Sequence, residues 1–473
     1  MKSMNLFCRK ISFALLTLAL ALWLVPAAAA LYVHDPDLRY IFDLPVGWEE
    51  VSPNQLGSVG SALPSGHFQW RGFRGPLSPG TSVADGEAVL LLLPGVARAG
   101  VRAERWGSDT DIPDVDLLVE EAAEVTDAAG EAAVFEFHGS EALFAEVALD
   151  RSGRSGYILA LDLPAVMVVA VVSVPAQHAR SAQDLLLSVL DALGPEAPMP
   201  GPVAMFFEND RQQQEWPEVT LRFPGPSLRF GFPDERVHFR ATPGSPETGE
   251  LLVSREARLL AGYQFAGPGM SRVPDAPTGA TADINDAARH APAWLSAWRR
   301  YFRLIYRDTY PRLSDLAEQI QEYAQAYRVP DGQLPDIVLS WLQAFEFRQA
   351  VNAGLFQPPV VCLITASGDC DSLGMTYVAL LHHLGYDAGL FVSIEHRHAL
   401  AGVDAGRSVP GPGSATGSPE GVRTSGRTES GVQFQVDDRS YYIAELTTAW
   451  PLGAVAREHV EQADWHYVPL GTR

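Results

Sequence analysis

The pattern of apolar and polar positions divides the chain into stretches of different character. Over residues 31 to about 193, short runs rich in β-branched and aromatic residues are bounded by Gly, Pro and Asp. They read RYIFDLPVGW, HFQWRGF, AVLLLLPG, AVFEFHG, ALFAEVALD, GYILALD and MVVAVVSV, and such runs predict strands. Apolar residues three and four apart predict helices over 114–123 and 179–193, the second with Ala182, Leu185, Leu186, Val189, Leu190 and Leu193 on one face. An α+β sheet domain over 31–195 is therefore expected, followed by GPEAPMPGP as a linker. VTLRF, LRFGF, RVHFRAT and ELLVSR then predict a small β-rich middle segment that ends in loop, over 203–285. Beyond residue 286 the period turns helical in APAWLSAWRRYFRLIYR, LSDLAEQIQEYAQAY and LPDIVLSWLQAFEFRQA. Within this last domain, 286–473, the Gly/Ser/Pro-rich stretch 405–430 holds almost no large apolar residue and is expected to be a flexible surface insertion.

The first thirty residues have a different purpose. Lys2, Arg9 and Lys10 form a basic head, ISFALLTLALALWLV an apolar run, and PAAAA a small-residue tail. Together they predict a secretory signal peptide cut after Ala30, and hence an exported, soluble protein. An uncleaved anchor is the alternative, because about 20 apolar residues can span a bilayer. In that case the signal segment alone would touch the membrane.

Charge narrows the choice of function. The 473 residues carry 35 Lys+Arg against 57 Asp+Glu, a net charge of −22. Lys2 and Lys10 are the only lysines. A P-loop, a protein-kinase strand, a pyridoxal Schiff base and a Ser-x-x-Lys nucleophile all need a lysine, so those classes are excluded from the exported chain. An acidic chain also lacks the basic patch that a nucleic acid requires. Cleavage would leave two cysteines, Cys362 and Cys370, too few for a disulfide scaffold or a zinc ribbon, and there is no His-Glu-x-x-His. Asp109, Asp111, Asp114 and Glu120 mimic a calcium loop, but Pro113 and Asp114 fill its fifth and sixth positions, where the sixth needs glycine. Helix initiation at Asp111 accounts for them. No metal and no cofactor is expected.

The informative stretch is ASGDCDSLGMTYVALLHHLGYDAGLFVSIEHRHALAGV. Asp369 suits a helix N-cap, Leu373, Tyr377, Leu380, Leu381 and Leu384 share a face, and Gly385 suits the stop. Cys370 therefore falls in the first turn, where unpaired amides and the helix dipole favour a thiolate. GLFVSIEHRHALAGV alternates like a strand and places His396 and His398 on the same side. QVDDRSYYIAELTTAW predicts a strand pair turning at Asp437 and Asp438, with Glu445 near its end. A cysteine opening a helix, a histidine on the next strand and a carboxylate on the one after are the parts of a nucleophilic triad.

These motifs resemble the transglutaminase-like superfamily, whose core has a papain-like fold. GDCDSLGMTYVALLHHLGYDA is similar to its Gly-x-Cys helix, HRHALAGV to its His-Ala strand, and YYIAELTTA stands where the family's strand ends in Asp-Pro-Thr. The resemblance implies Cys370 as nucleophile, His398 as base and Glu445 as orienting acid, over about 290–455. Glu445 replaces the usual Asp, and the insertion separates it from His398. His396 as base, Asp437 or Asp438 as acid, Gln357 as an oxyanion donor, and a redox pair of Cys362 with Cys370 are the alternatives. His382 and His383 are expected to be surface or packing residues. The implied activity is a cysteinyl acyl-enzyme formed on a peptide or carboxamide, with water or an amine as acceptor. The substrate would be a peptide or protein, such as a cell-envelope or peptidoglycan peptide. The competing expectation is a binding or scaffold protein that keeps the fold without turnover. The opening DLPVGWEEVS and closing LLLSVLDAL of the first domain resemble, in turn, the PsbP/Mog1-like α/β fold, which implies a binding module.

Overall fold

The computed structural model describes residues 30–56, 70–83, 86–97, 128–130, 132–209, 219–223, 237–241, 243–265, 291–348, 357–393, 395–406 and 431–470. The expected signal segment apart from Ala30, the expected helix at 114–123, the calcium-loop mimic, the expected LRFGF strand and all but the first two residues of the 405–430 insertion lie outside them.

The fold class is α+β, with a β-rich N-terminal region. Its first three-stranded sheet joins β1 (Ala30–Asp35), β2 (Tyr40–Val46) and β11 (Leu193–Pro195) in that order. A larger antiparallel sheet contains β3 (Glu49–Val51), β4 (Arg71–Pro76), β5 (Glu87–Ala97), β10 (Val166–Pro175), β9 (Arg154–Asp162), β8 (Ser140–Leu149) and β6 (Ala128–Ala129), in spatial order. The strand β7 (Ala133–Phe137) pairs with β8. The unbroken apolar run of β10 has a physical reason: both faces are buried. Val168, Ala170, Val172 and Val174 enter one core, with α1 (Gln183–Asp191) against it, and Met167, Val169 and Val171 enter another. All six apolar positions expected on the helical face at 182–193 are buried.

The middle of the chain differs from expectation. Here β12 (Val219–Phe223) and β13 (Val237–Ala241) pair antiparallel, but α2 (Pro202–Asn209) and α3 (Pro246–Phe265) are helices. ELLVSR, expected as a strand, lies inside α3. Ser245 starts that helix, its hydroxyl accepting from the Thr248 amide at 3.1 Å, and Leu252, Val253, Ala257 and Leu260 are buried along it. Taken alone, ELLVSR shows three adjacent aliphatic residues, Leu251, Leu252 and Val253, and is too short to display the helical period.

The helices α4 (Ala291–Arg312), α5 (Ser314–Ala326) and α6 (Leu334–Leu342) follow. The run LPDIVLSWLQAFEFRQA stops being helical at Leu342, and Glu346 and Phe347 form a short strand, β14 (Glu346–Phe347), parallel to β15 (Ser367–Gly368). After α7 (Pro359–Thr365), helix α8 (Cys370–His383) packs on a five-stranded antiparallel sheet. That sheet has the spatial order β18 (Gln433–Val436), β19 (Arg439–Ala444), β17 (His398–Asp404), β16 (Ala388–Ser393) and β20 (His466–Val468).

Arginine, the sole long base of this region, fastens α4 to β2 and α3 to α1. Arg303 makes two bonds to the Asp43 carboxylate at 2.7 and 3.0 Å, and Arg300 donates to the Asp43 carbonyl at 2.8 Å. Glu256 is buried between Arg255 (2.8 Å), Arg300 (3.1 Å) and the Ser188 hydroxyl (2.9 Å). Arg255 also reaches Asp191 at 2.7 Å. The planar fork of a guanidinium meets several oxygens at once, which a lysine ammonium cannot do in fixed geometry.

Candidate active site

Helix α8 begins where its sequence says it should. Asp369 is extended, and its carboxylate accepts from the Ser372 amide at 2.9 Å, which makes it the N-cap. Gly385 has φ +82°, and the Tyr386 amide returns to the Leu381 carbonyl at 2.9 Å, closing the helix in the left-handed turn that glycine tolerates. From Ser372 to Leu381 every residue is buried. This helix is central, with β16 and β17 on one side and α4 to α7 around it. Gly374 allows the close approach: a Cβ there would come within 2.9 Å of Leu390 on β16.

Cys370 is the first residue of α8 and is partly buried. The backbone of Ala399, next to His398, favours the thiolate. Burial is the larger influence, and with the neighbouring Asp371 and Asp369 carboxylates it pushes the Cys370 thiol well up. The helix dipole does not win here. This differs from the sequence expectation, which weighed the helix start and not the two flanking acids. Asp371 is itself pushed up to about 7, first by burial and then by Asp369, with the charge of His398 opposing.

His398 opens β17 and Glu445 directly follows β19. The two strands are antiparallel neighbours with Ala401 opposite Ala444, so the start of one and the end of the other share a sheet edge. There the Nε2 of His398 lies 2.8 Å from Oε2 of Glu445. The other carboxylate oxygen accepts from the Thr447 amide (2.9 Å) and hydroxyl (2.6 Å). Burial alone would raise the Glu445 carboxyl, but the His398 bond and charge, followed by Thr447, hold it below the usual range. An ionised carboxylate only accepts, so Nε2 donates to it, and in a neutral ring Nδ1 is then the nitrogen with the lone pair.

The other candidates separate. Instead of sharing a strand with His398, His396 lies in the turn between β16 and β17, because Arg397 has φ +48° and ends the alternation. Its ring stacks on Trp465 with centroids 5.5 Å apart, and its Nε2 is 3.3 Å from Asp464. Asp437, with φ +55°, and Asp438 form the β18–β19 turn, away from the β17 start. Gln357 donates to Thr365 at 2.9 Å. Cys362 is a buried packing thiol beneath Gly368, where an added Cβ would meet its sulfur at 2.7 Å, and both cysteines are free. His382 bonds the Tyr306 hydroxyl (2.6 Å) and the Ala388 carbonyl (2.9 Å), and His383 stacks on Tyr310 at 3.7 Å. Both are packing residues.

No protein-family model matches the chain, and no curated protein matches it. A solved structure, cyanobacterial PsbP (CyanoP) from Synechocystis sp. PCC 6803, is similar at 14% identity over 36% of this chain and 95% of its own. Its TM-score is 0.24. The name agrees with the family that DLPVGWEEVS resembles, but a likeness this loose carries no argument about fold or function. Among the described residues, no helix is long and apolar enough to cross a membrane.

Sequence reasoning missed one member of the cluster. His459, at the end of a short 3-10 turn, brings its ring centroid to 5.0 Å from those of both His396 and His398. Its Nδ1 is buried, 3.8 Å from Oε2 of Glu445, and has no hydrogen-bond partner. The tail REHVEQADWHY has neither helical nor strand period, and nothing local in it marks His459. Only the pairing of β20 with β16, which draws the tail back to the sheet, puts it here.

Proposed function

We propose that this chain is an exported thiol enzyme of the transglutaminase-like type that forms an acyl-enzyme on a peptide bond or carboxamide. The observation that carries the reading is the bond of 2.8 Å from half-buried His398 to the buried Glu445 carboxylate, His398 opening the strand that packs on the helix begun by Cys370. In the proposed reaction the Cys370 sulfur attacks the carbonyl carbon while its proton passes to Nδ1 of His398. Glu445 stabilises the imidazolium on the opposite nitrogen. The imidazolium then protonates the leaving amine as the C–N bond breaks, leaving a thioester on Cys370. Water or a second amine takes up the acyl group, with His398 again as base. Because burial, Asp371 and Asp369 raise the thiol, the proton moves during attack and not before it. The Cys370 amide at the helix start is the available oxyanion donor. The N-terminal region serves in this reading as a PsbP/Mog1-like binding module that presents envelope peptides or proteins.

A silent scaffold is the second reading, and the raised Cys370 thiol is the observation in its favour. Two assays on the full chain separate them: release of peptides from labelled casein, and incorporation of dansylcadaverine into casein. Either activity, lost in Cys370→Ala, supports the enzyme. Activity unchanged in Cys370→Ala would transfer the case to another site.

A further inference from the structure

We infer that His398, Glu445 and His459 form a binding site for a divalent transition-metal ion of the zinc class. Three separate segments deliver one donor each: the start of β17, the residue after β19, and the 3-10 turn at 457–459. One ligand atom from each lies within 4.8 Å of the others. The chemistry of the set is selective. Two imidazoles and one carboxylate suit zinc and its first-row neighbours, whereas magnesium and calcium call for oxygen ligands throughout. The spacing fits as well. In a tetrahedral site with bonds of about 2.0–2.1 Å, donors lie roughly 3.3 Å apart. Here Oε2 of Glu445 is 2.8 Å from the His398 nitrogen and 3.8 Å from the His459 nitrogen, values that bracket that spacing.

Two further observations support an ion. The Nδ1 of His459 is a buried nitrogen without a hydrogen-bond partner, aimed at a carboxylate that already has its other oxygen satisfied. A buried ring nitrogen left without a partner is costly, and a metal ion would complete it. Thr447 also holds Glu445 so that Oε2 faces both rings, the outer-shell support that metal carboxylates have. Trp465 lies edge-on to His459 at 5.4 Å and limits its rotation. Three protein donors leave a fourth position for water.

The ion replaces the proton between His398 Nε2 and Glu445. In neutral His398 that proton moves to Nδ1, the nitrogen otherwise available as base. Metal binding and thiol chemistry therefore exclude each other. This consequence rests on the thiol-enzyme reading, but the binding itself does not.

The test is calorimetric titration of the metal-free full chain with zinc sulfate, in competition with a chelator. One ion per chain is expected, with affinity weakened about 100-fold or more in His459→Ala, His459→Gln and Glu445→Gln, beyond the 10- to 100-fold typical of outer-shell changes. His34→Ala, an exposed histidine paired with Glu196, should bind as the parent does. Circular dichroism of each metal-free variant checks the fold. The cobalt(II) spectrum of the parent chain should show the intense visible bands of a four-coordinate ion. No zinc binding at millimolar concentration, undiminished affinity in both His459 variants, or a weak six-coordinate cobalt spectrum would overturn the inference. The readout requires no turnover, so a failure here leaves the thiol reading untouched, and an inactive protein leaves the metal result untouched.

Discussion

Replacing Glu445 with glutamine changes one charge and almost no volume, yet the local bonding makes its effect large. The Thr447 amide and hydroxyl both point at Oε1, at 2.9 and 2.6 Å. An amide N–H can only donate, so the carbonyl of the new carboxamide must occupy that position. Its NH2 is then left at the Oε2 position, 2.8 Å from Nε2 of His398. Nε2 must become the acceptor, and the ring proton moves to Nδ1. The nitrogen that should take the thiol proton is then already protonated. Enforcing the wrong tautomer in the serine-protease triad costs about 10⁴ in kcat, which at 1.36 kcal/mol per tenfold is about 5 kcal/mol. A loss of that order is expected here in acyl transfer from a chromogenic acetyl ester. Long-range ¹⁵N–¹H spectra of histidine-labelled protein should show His398 protonated on Nε2 in the parent and on Nδ1 in the variant. If His398 keeps its Nε2 proton in Glu445→Gln, or if the rate falls less than tenfold, the orienting role of Glu445 is wrong. The variant should also lose a pH dependence. The Glu445 carboxyl is held below its usual range, so its contribution is present above about pH 4.5 and disappears as pH falls through the folded value.

Two other substitutions follow from the same geometry. Asp371 has a folded value raised to about 7 from an ordinary 3.8, so its contribution to stability is full below about pH 3.8 and is lost as pH rises through 7. Asp371→Asn should flatten that decline in urea melts at pH 5 and 8, and should speed alkylation of Cys370 at pH 8 by removing a charge that raises the thiol. Slower alkylation would show that Asp371 supports the thiolate instead. Glu256→Gln leaves Arg255 and Arg300 buried without their shared charge. A loss of about 3–5 kcal/mol is expected from urea unfolding, and a change below about 1 kcal/mol would show that the arginines find other partners.

Local signals made part of this molecule legible. Asp369 and Gly385 bracket α8 because capping and left-handed turns are decided within four residues. MVVAVVSV was readable as a strand because burial on both faces leaves no polar position. Long-range events were not legible. His396 leaves the strand through one left-handed residue, Arg397, which carries no glycine signal. ELLVSR is part of a 20-residue helix whose buried side is completed by Arg255 and Glu256, charged residues that look like a solvated face in sequence. The order Cys370, His398, Glu445 was readable from motif spacing, and the structure joins the last two in one hydrogen bond. The acids flanking Cys370 were visible as letters, but their effect depends on burial. His459 reaches the site only through the return of the C-terminal tail.

The central claim is that Cys370 is a nucleophile assisted by His398. Its most direct measurement is peptide mapping by mass spectrometry of full-length protein quenched in acid during reaction with the chromogenic acetyl ester. One acetyl group is expected on Cys370, none on the buried Cys362, and no trapped acetyl in His398→Ala. Acetylation of Cys370 at the same rate in His398→Ala, or no acetyl on Cys370 in the parent chain while the ester is consumed, would contradict it.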